Sequence, residues 1–443
     1  FKSVCLASPL RDVYKRQGVD TSDHEVNIKI LLDAEVAAGR ISEQERDELL
    51  PAMADDVASL VLRHNHSQNL ALANALSSDG PTAGVLEAWM CELEESGHLD
   101  RAVDTMPSTT EMNRRMAAGE RLASPELCTL LAWTKIALCD AVLATDLPED
   151  PFVADRLVGY FPPLLRERFT ERMPTHRLHR EIITTEAVNR FVDSQGITAY
   201  YRLHLQTGAD IAQVIRCQLA ARSVFGLGRV ETDLTHLGLD AVRTAKIRLA
   251  LTDLAMHATR WFLNHGGADD IAGTIETYRP GVATLVEKLS ERLLGDSADA
   301  WQEKVDEVTE LGLDRSDAAV VAAYDWSPVL LSIVEISEEG HPLDEVADAY
   351  LTLARRVDMI RLTRLVEQLP QDRPTDARVR ASLREDLLRV MSDATRRALV
   401  IGTDNVLADG GRIVKSIAAN PDLAHCVVMV SDLRSAVGQE VTL

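Results

Sequence analysis

The sequence predicts a mainly α-helical protein with many helices, and three observations support this fold class. Apolar residues recur at intervals of three and four along most of the chain, as they do on one face of a helix. Helix-capping patterns precede several of these stretches. Aromatic residues, which favour strands, make up only 4% of the 443 residues, while 46% are hydrophobic, enough for a sizeable core. We expect on the order of 15 helices and no regular repeat.

The boundaries of the first helices follow from residues that start or stop a helix. Gly39 is expected to end the first helix, and Ser42 with Glu45 forms a Ser-x-x-Glu capping box for the second. Pro51 suits the first turn of the third helix, where its missing N–H costs nothing. Apolar residues of this third helix predict one buried face, formed by Met53, Val57, Leu60 and Val61.

Further helices follow the same spacing to the end of the chain. Ser124, Pro125 and Glu126 supply an N-cap, a first-turn proline and a first-turn acid, so a helix is expected to start there. Residues 426–430 have strand-like apolar density, but a buried helix end explains them equally well. The other predicted helices hold residues 86–93, 182–192, 211–225, 242–263, 271–294 and 376–400. Loops are expected at residues 77–81, 266–267, 340–342 and 370–374.

Residues 1–17 are expected to be foreign to the protein or disordered. They carry four basic residues against one acid and show no periodicity. Residues 8–17 resemble translated adapter sequence, and the chain has no initiator Met. We therefore leave this segment out of the fold prediction.

The charge balance and the cysteines restrict the partners and the compartment. The chain has 47 Lys and Arg against 69 Asp and Glu, a net charge of −22, so it lacks the basic face that binds nucleic acid. No apolar run is long enough for a membrane span, and no secretory signal is recognisable. The six cysteines form no Cys-x-x-Cys pair, which is typical of buried free thiols in a reducing compartment. A cytoplasmic location is therefore expected.

Few residues have the spacing that a cofactor or a metal requires. The Gly-x-Gly at residues 226–228 lacks the third glycine of a dinucleotide loop, so no such loop is predicted in this chain. His64 and His66 point to different sides of a helix. His176 and His179 share one face, but no third ligand is identifiable for either pair. We therefore predict no metal site and interpret these histidines as solvated or capping residues.

Ser22 allows two interpretations. With Glu25 it spells a capping box, so the simpler one is a helix N-cap. The other is a binding role, because the free N–H groups at a helix start can receive a substrate carboxylate. From the residues alone, the cap is favoured. The five arginines between residues 166 and 180 likewise favour a surface salt-bridge network over a site for an anionic effector.

Several segments resemble, in order, parts of the large-subunit, NAD-specific bacterial glutamate dehydrogenases. Residues 18–30, Gly-Val-Asp-Thr-Ser-Asp-His-Glu-Val-Asn-Ile-Lys-Ile, are similar to the end of the catalytic domain of that family. Residues 66–72, 122–135 and 258–263 are similar to its C-terminal helical domain. The resemblance implies a multi-helix C-terminal domain preceded by the last segment of a truncated α/β dinucleotide-binding domain.

This resemblance also implies domain limits and site residues. Residues 18–64 would be the end of the catalytic domain with connecting helices, and residues 65–443 the helical domain. In such enzymes a valine packs on the aliphatic part of glutamate and a serine hydroxyl binds the side-chain carboxylate, and Val19 and Ser22 match these positions. Gly18 fits the preceding turn, where the backbone approaches the cofactor. No catalytic residue can be assigned.

The reaction implied by the resemblance is the oxidative deamination of L-glutamate to 2-oxoglutarate and ammonia, with NAD as the hydride acceptor. The catalytic acid, the substrate lysines and the NAD loop would lie upstream, so this chain alone is expected to be inactive. The resembled enzymes are homo-oligomers, which predicts contacts between subunits or domains for the helical part. The alternative is a non-catalytic helical scaffold or regulatory protein. An upstream reading frame encoding a dinucleotide-binding domain would favour the enzyme, and a start codon near residue 18 the scaffold.

Overall fold

The structure is a computed structural model that describes residues 2–76, 82–369, 374–407 and 423–439, with side chains from Gly18 onward. These ranges contain more than twenty α-helices, three short 3-10 helices and no strand, which confirms a mainly α-helical protein. The helices outnumber the roughly 15 expected, because several are too short to show an apolar period. The loop predicted at residues 77–81 lies outside the described residues, as do residues 370–373 of the loop predicted at 370–374. Pro374, the last residue of that predicted loop, is instead the first residue of a helix.

The chain forms two compact units, residues 1–200 and residues 201–443. The domain boundaries expected from the resemblance fall inside helices of the first unit and stay predictions. The α-helices of this unit are α1 (Lys2–Ala37), α2 (Glu43–Ala52), α3 (Ala54–Leu76), α4 (Ala83–Glu95), α5 (Thr109–Ala117), α6 (Ser124–Leu143), α7 (Pro151–Ala154), α8 (Arg156–Tyr160), α9 (Pro163–Phe169) and α10 (His179–Gln195), with 3-10 helices at Leu147–Glu149 and Thr170–Thr175.

Helix α10 lies at the centre of the first unit and packs against α3, α6 and α8. It can do so because its buried apolar residues, which include Ile183, Val188 and Phe191, cover more than one side of the helix. Helix α1 packs along α3, with Leu31 and Leu32 almost fully buried. The predicted buried face of α3 and the residues before it, from Met53 to Val61, is confirmed.

The second unit is built around α18, which packs against α14, α15, α19 and α21. Its apolar residues are buried nearly all round, as expected for a central helix. The α-helices of this unit are α11 (Ala199–Thr207), α12 (Ile211–Val224), α13 (Leu227–His236), α14 (Ala241–Asn264), α15 (Ile271–Arg292), α16 (Asp296–Leu311), α17 (Arg315–Ala322), α18 (Ser327–Ser337), α19 (Leu343–Arg356), α20 (Met359–Glu367), α21 (Pro374–Ile401) and α22 (Leu423–Gln439), with a 3-10 helix at Thr403–Asn405.

Two buried tryptophans, one in each unit, donate hydrogen bonds to side chains of neighbouring helices. In the first unit, the indole N–H of Trp89 donates to Thr134 Oγ1 at 2.8 Å. In the second, Trp261 donates to Ser332 Oγ at 3.0 Å. Pairing of this kind is what lets a polar atom be buried without the cost of desolvation. Residues 426–430, for which helix and strand were both open, lie in α22.

Several predicted helix boundaries are confirmed, and those expected at Pro51, Ser124 and Ser22 are wrong. Gly39 ends α1 with a φ of +68°, and Ser42 caps α2 by accepting the Glu45 N–H at 3.1 Å. Pro51, expected in the first turn of α3, instead lies in the last turn of α2. There it removes only one helical hydrogen bond, so the short helix tolerates it.

The helix expected to start at Ser124 has its N-cap one residue earlier. Ala123 is the N-cap of α6, and its backbone N–H donates to the carboxylate of Glu126 at 2.6 Å. The Glu126 carboxylate therefore accepts a hydrogen bond from the N-cap backbone, although the N-cap residue itself has no side-chain acceptor.

No single described helix is long and apolar enough to cross a membrane. Taken together, α17 and α18 reach that length and composition, but they are bent by 89° at the break between them.

Candidate functional site

The residues expected to bind substrate, Val19 and Ser22, lie on the exposed side of α1. Gly18, expected in a turn beside the cofactor, lies inside the same helix and not in a turn. Gly18, Val19 and Ser22 are all exposed, and 62% of Val19 is accessible to solvent. Residues three apart on a helix share one face, so Val19 and Ser22 form a continuous patch. The Ser22 hydroxyl donates to the Val19 carbonyl oxygen at 2.7 Å. We call these three residues the α1 wall.

The prediction that Ser22 caps a helix is wrong. Helix α1 is continuous from Lys2 to Ala37, so Ser22 lies inside it and has no N-cap geometry. A serine inside a helix commonly bonds back to the carbonyl one turn earlier, as Ser22 does to Val19. The backbone N–H groups around Ser22 are committed to the helix, so only its hydroxyl is available to a ligand.

The opposite side of α1 carries a partly buried group of ionisable residues that sequence analysis missed. Asp20 and His24, one turn apart, face His64 of α3. Asp20 Oδ2 lies 3.0 Å from His64 Nδ1, and Asp20 Oδ1 lies 3.9 Å from His24 Nε2. On its other side His64 faces Glu186 of α10, whose Oε1 is 3.7 Å from Nε2. The His64 imidazole is therefore flanked by two carboxylates.

His24 occupies the middle of an aromatic stack. Its ring centroid lies 4.3 Å from that of Tyr160 and 5.7 Å from that of His64. We call Tyr160, His24 and His64 the histidine stack. His24 is fully buried, and among the described residues neither of its ring nitrogens has a hydrogen-bond partner. Such a ring behaves as an apolar core residue that happens to be titratable.

Burial and hydrogen bonding give the two histidines opposite pKa shifts. Desolvation lowers the pKa of His24 to about 4, although the negative charge of Asp20 opposes this change. The hydrogen bond to Asp20 raises the pKa of His64, against the effect of burial. His24 is therefore neutral near pH 7. When the site takes up a proton, the proton binds to His64 and not to His24. The stack and its Asp20 pair hold α1 against α3 and α8, and thereby hold the α1 wall in place.

The same residues are the ones that could hold a metal ion. One carboxylate oxygen of Asp20 and one nitrogen each of His24 and His64 lie within 4.8 Å of one another. Two imidazoles and a carboxylate are a common ligand set for zinc. However, His64 Nδ1 is already bonded to Asp20, and the two imidazole planes differ by only 24° in a stacked arrangement. The absence of a metal site stays a prediction.

The other histidines and the arginines between residues 166 and 180 have structural partners. His66 is exposed. His176 accepts the Leu178 N–H at 3.1 Å, and His179, the first residue of α10, lies 2.9 Å from the His176 carbonyl oxygen. His176 is buried, and its Nε2 lies 3.1 Å from the main-chain oxygen of Asn27. The N-cap of α10 is Leu178, which has no side-chain cap hydrogen bond, so the interpretation of His176 as a solvated or capping residue is wrong.

Ion pairs connect Arg168 with Glu45 and Arg180 with Glu149, in line with the predicted salt-bridge network. Gly226, with a φ of +65°, joins two helices, so the described chain has no strand before this Gly-x-Gly.

Comparison with known protein families separates the α1 region from the rest of the chain. The profile described as "Bacterial NAD-glutamate dehydrogenase, catalytic domain" matches residues 11–75, which include the α1 wall. The profile described as "Glutamate dehydrogenase, C-terminal" matches residues 119–440, more than half of the chain. The chain belongs to the bacterial NAD-glutamate dehydrogenase family. This confirms the family suggested by the resemblance.

Three curated relatives, each named NAD-specific glutamate dehydrogenase, cover most of this chain. The protein from Pseudomonas aeruginosa is 33% identical over 438 residues, which are 96% of this chain and 26% of the relative. That from Mycobacterium tuberculosis is 34% identical over 87% of this chain and 24% of its own length. The Halomonas elongata protein is 32% identical over the same shares. The chain therefore spans about a quarter of the length of the curated relatives it matches.

Proposed function

We propose that this chain is the helical part of a longer enzyme that oxidises L-glutamate with NAD and water to 2-oxoglutarate, ammonium, NADH and a proton. The observation that carries the proposal is the α1 wall. Val19 and Ser22 lie side by side and exposed, within the segment that matches the catalytic domain of the family. An exposed valine next to an exposed hydroxyl suits a ligand that has a short aliphatic chain and a carboxylate.

In this proposal each residue of the α1 wall has one task. The Val19 side chain packs on the methylene groups of glutamate. The Ser22 hydroxyl turns from the Val19 carbonyl oxygen and donates to the side-chain carboxylate. Gly18 keeps the adjoining surface open, since a Cβ atom there would meet nothing within 4 Å. Binding and orientation are the whole contribution of this wall to the reaction.

The described residues do not fit NAD. They contain no strand followed by a glycine-rich turn and a helix, the arrangement that receives the pyrophosphate of NAD. Gly18 does not line a close-fitting phosphate site either, because no described atom lies within 4 Å of the position that its Cβ would take. We propose that NAD, the catalytic acid and the substrate lysines are supplied by other parts of the longer enzyme, and that the 443-residue chain alone is inactive. A homo-oligomeric state and a cytoplasmic location stay predictions.

The test is a pair of serine substitutions in the longer enzyme. Ser22→Ala should raise the glutamate KM about 10- to 100-fold with little change in kcat, because a hydrogen bond to a charged group contributes roughly 1.5–3 kcal/mol. Ser59→Ala is the matched control: Ser59 is exposed on α3, and its hydroxyl makes the same kind of bond, to the Asp55 carbonyl oxygen at 2.9 Å. An unchanged KM in Ser22→Ala would contradict the substrate role of Ser22.

Activity and calorimetry of the chain alone provide a second test. We expect no NADH formation from glutamate and NAD, and no saturable NAD binding. Either signal, in a preparation free of host dehydrogenase, would show that this chain contains a cofactor site. The proposal that other parts of the longer enzyme bind NAD would then be wrong.

A further inference from the structure

At the level of the α1 wall, helix α1 is held by a polar contact. Every residue from Gly18 to Asp23 is exposed except Asp20, which is half-buried. Asp20 Oδ2 lies 3.0 Å from Nδ1 of His64 on α3. The first fully buried residue further along the helix is His24. Because no apolar residue from Gly18 to Asp23 is buried, the rotation of α1 beside the wall depends on the contact between Asp20 and His64.

The other ring nitrogen of His64 faces helix α10. Glu186 Oε1 lies 3.7 Å from His64 Nε2, a distance typical of an ion pair. The His64 side chain is 27% exposed and that of Glu186 15%, so water screens this pair less than it screens a surface salt bridge. Asp20 and His64 lie within the catalytic-domain match, residues 11–75, whereas Glu186 lies within the C-terminal match, residues 119–440. The imidazole of His64 therefore connects the two family segments.

The charges around His64 favour its protonated form. The ionisable groups around it are Asp20 and His24 of α1, Glu186 and Asp193 of α10, Lys135 of α6 and Arg63 beside it in α3. Lys135 forms a salt bridge with Asp193 at 2.6 Å, so these two charges largely offset each other. The hydrogen bond to Asp20 is the main cause of the raised pKa of His64, and Glu186 adds to it against burial and Lys135.

The contact of Asp20 with His64 and the α1 wall lie on opposite sides of one helix. An α-helix is about 10 Å across with its side chains, so a small rotation about this contact moves the Ser22 hydroxyl on the other side. A displacement of about 1 Å is enough to weaken a positioned contact strongly. The groups that hold Asp20 therefore influence where the Ser22 hydroxyl lies.

We propose that His64 and Glu186 are positioning residues for glutamate: acting through Asp20, they fix the rotation of α1 and place the Ser22 hydroxyl where the substrate carboxylate binds. Neither residue belongs to the α1 wall or touches the substrate. The proposal rests on the proposed function of the wall, and it gives the segment that matches the C-terminal profile a part in substrate affinity. A change in the contact between Glu186 and His64 then changes the affinity for glutamate.

Glu186→Gln in the longer enzyme tests this proposal, because glutamine keeps the size of the side chain and removes its charge. We expect the glutamate KM to rise about three- to tenfold with little change in kcat, the range in which indirect contacts modulate binding. The carboxylate acts mainly on the protonated imidazole. The ratio of the variant KM to the parent KM should therefore be largest near pH 6.5, and fall toward one as the pH rises to 9 and His64 loses its proton.

Two further variants localise the effect to this chain of contacts. Asp20→Asn interrupts it at the other end, so this variant should raise KM with the same pH dependence. Glu181→Gln is the matched control, because Glu181 is an exposed glutamate in the first turn of α10 and its replacement should leave KM unchanged. Partial unfolding cannot imitate the expected result, since it reduces the amount of active enzyme and hence kcat, but leaves KM unchanged.

Combination with Ser22→Ala separates this proposal from the proposed function. Without the Ser22 hydroxyl, Glu186→Gln should raise KM little further, because both changes weaken the same contact with glutamate. An unchanged KM in Ser22→Ala would overturn the proposed function and the positioning role with it. A raised KM in Ser22→Ala, but not in Glu186→Gln or Asp20→Asn, would overturn the positioning role alone. So would a KM ratio that does not vary with pH, an equal rise in Glu181→Gln, or fully additive effects of Ser22→Ala and Glu186→Gln.

Discussion

Replacing His24 with phenylalanine should make the first unit less sensitive to acid. The imidazole of His24 is fully buried, lies 4.3 Å from Tyr160 between ring centroids, and makes no hydrogen bond to the described residues. Phenylalanine keeps the ring in the stack and loses no hydrogen bond. It removes only the titratable nitrogens, so His24→Phe isolates the cost of protonating this position.

The size of the effect follows from the pKa of His24, which is about 4 in the folded protein and 6.5 in the unfolded chain. Because the folded pKa is the lower one, the contribution of His24 to stability is present above pH 6.5 and is lost as the pH falls toward 4. At 1.36 kcal/mol per pKa unit the full loss is roughly 3 kcal/mol, of which about 2 kcal/mol falls between pH 7 and pH 5. The raised pKa of His64 has the opposite sign, but it is common to both proteins.

Urea unfolding at pH 7 and pH 5, followed by circular dichroism, measures the difference. We expect similar stability of His24→Phe and the parent chain at pH 7, and an advantage of about 2 kcal/mol for the variant at pH 5. His66→Gln, an exposed histidine of α3, should show no such advantage. An identical pH dependence of His24→Phe and the parent chain would refute the inference that His24 is buried in its neutral form.

Two further substitutions test the packing of each unit. Arg101→Met should lower the free energy of unfolding by about 3–5 kcal/mol, because Glu87, 2.8 Å from Arg101 Nη1, stays buried without a counter-ion. Urea unfolding measures this loss, and Arg114→Met, in an exposed salt bridge, should lose much less; equal losses would contradict the burial argument. Gly281→Ala should cost about 1–3 kcal/mol, because the added Cβ would lie 2.8 Å from Val334 Cγ2. Thermal unfolding should show partial recovery on adding Val334→Ala, and no recovery would argue against this clash.

The helices and most of their ends could be predicted because the signals are local. Apolar spacing and caps involve residues three or four apart, which already lie together once one turn forms. Gly39 and Ser42 were therefore located correctly. The predicted ends at Pro51 and Ser124 are wrong, because a residue next to the expected one can also end or cap a helix.

Ser22 shows where a local signal gives the wrong answer. Its spacing to Glu25 is that of a capping box, but a capping box requires a chain that leaves the helix at that point. Helix α1 instead continues through Ser22. The proposed substrate role of Val19 and Ser22 does not depend on that cap, because the resemblance rests on the order of residues and not on the predicted helix start.

The ionisable group around His64 depended on tertiary structure alone. Asp20 and His64 are 44 residues apart in sequence, and nothing in either segment indicates which helix faces it. The sequence by itself determined the helices, because their hydrogen bonds and apolar faces are local. The tertiary structure decided which charges meet, because burying the apolar faces selects the neighbours of each helix and brings the polar residues at their edges together.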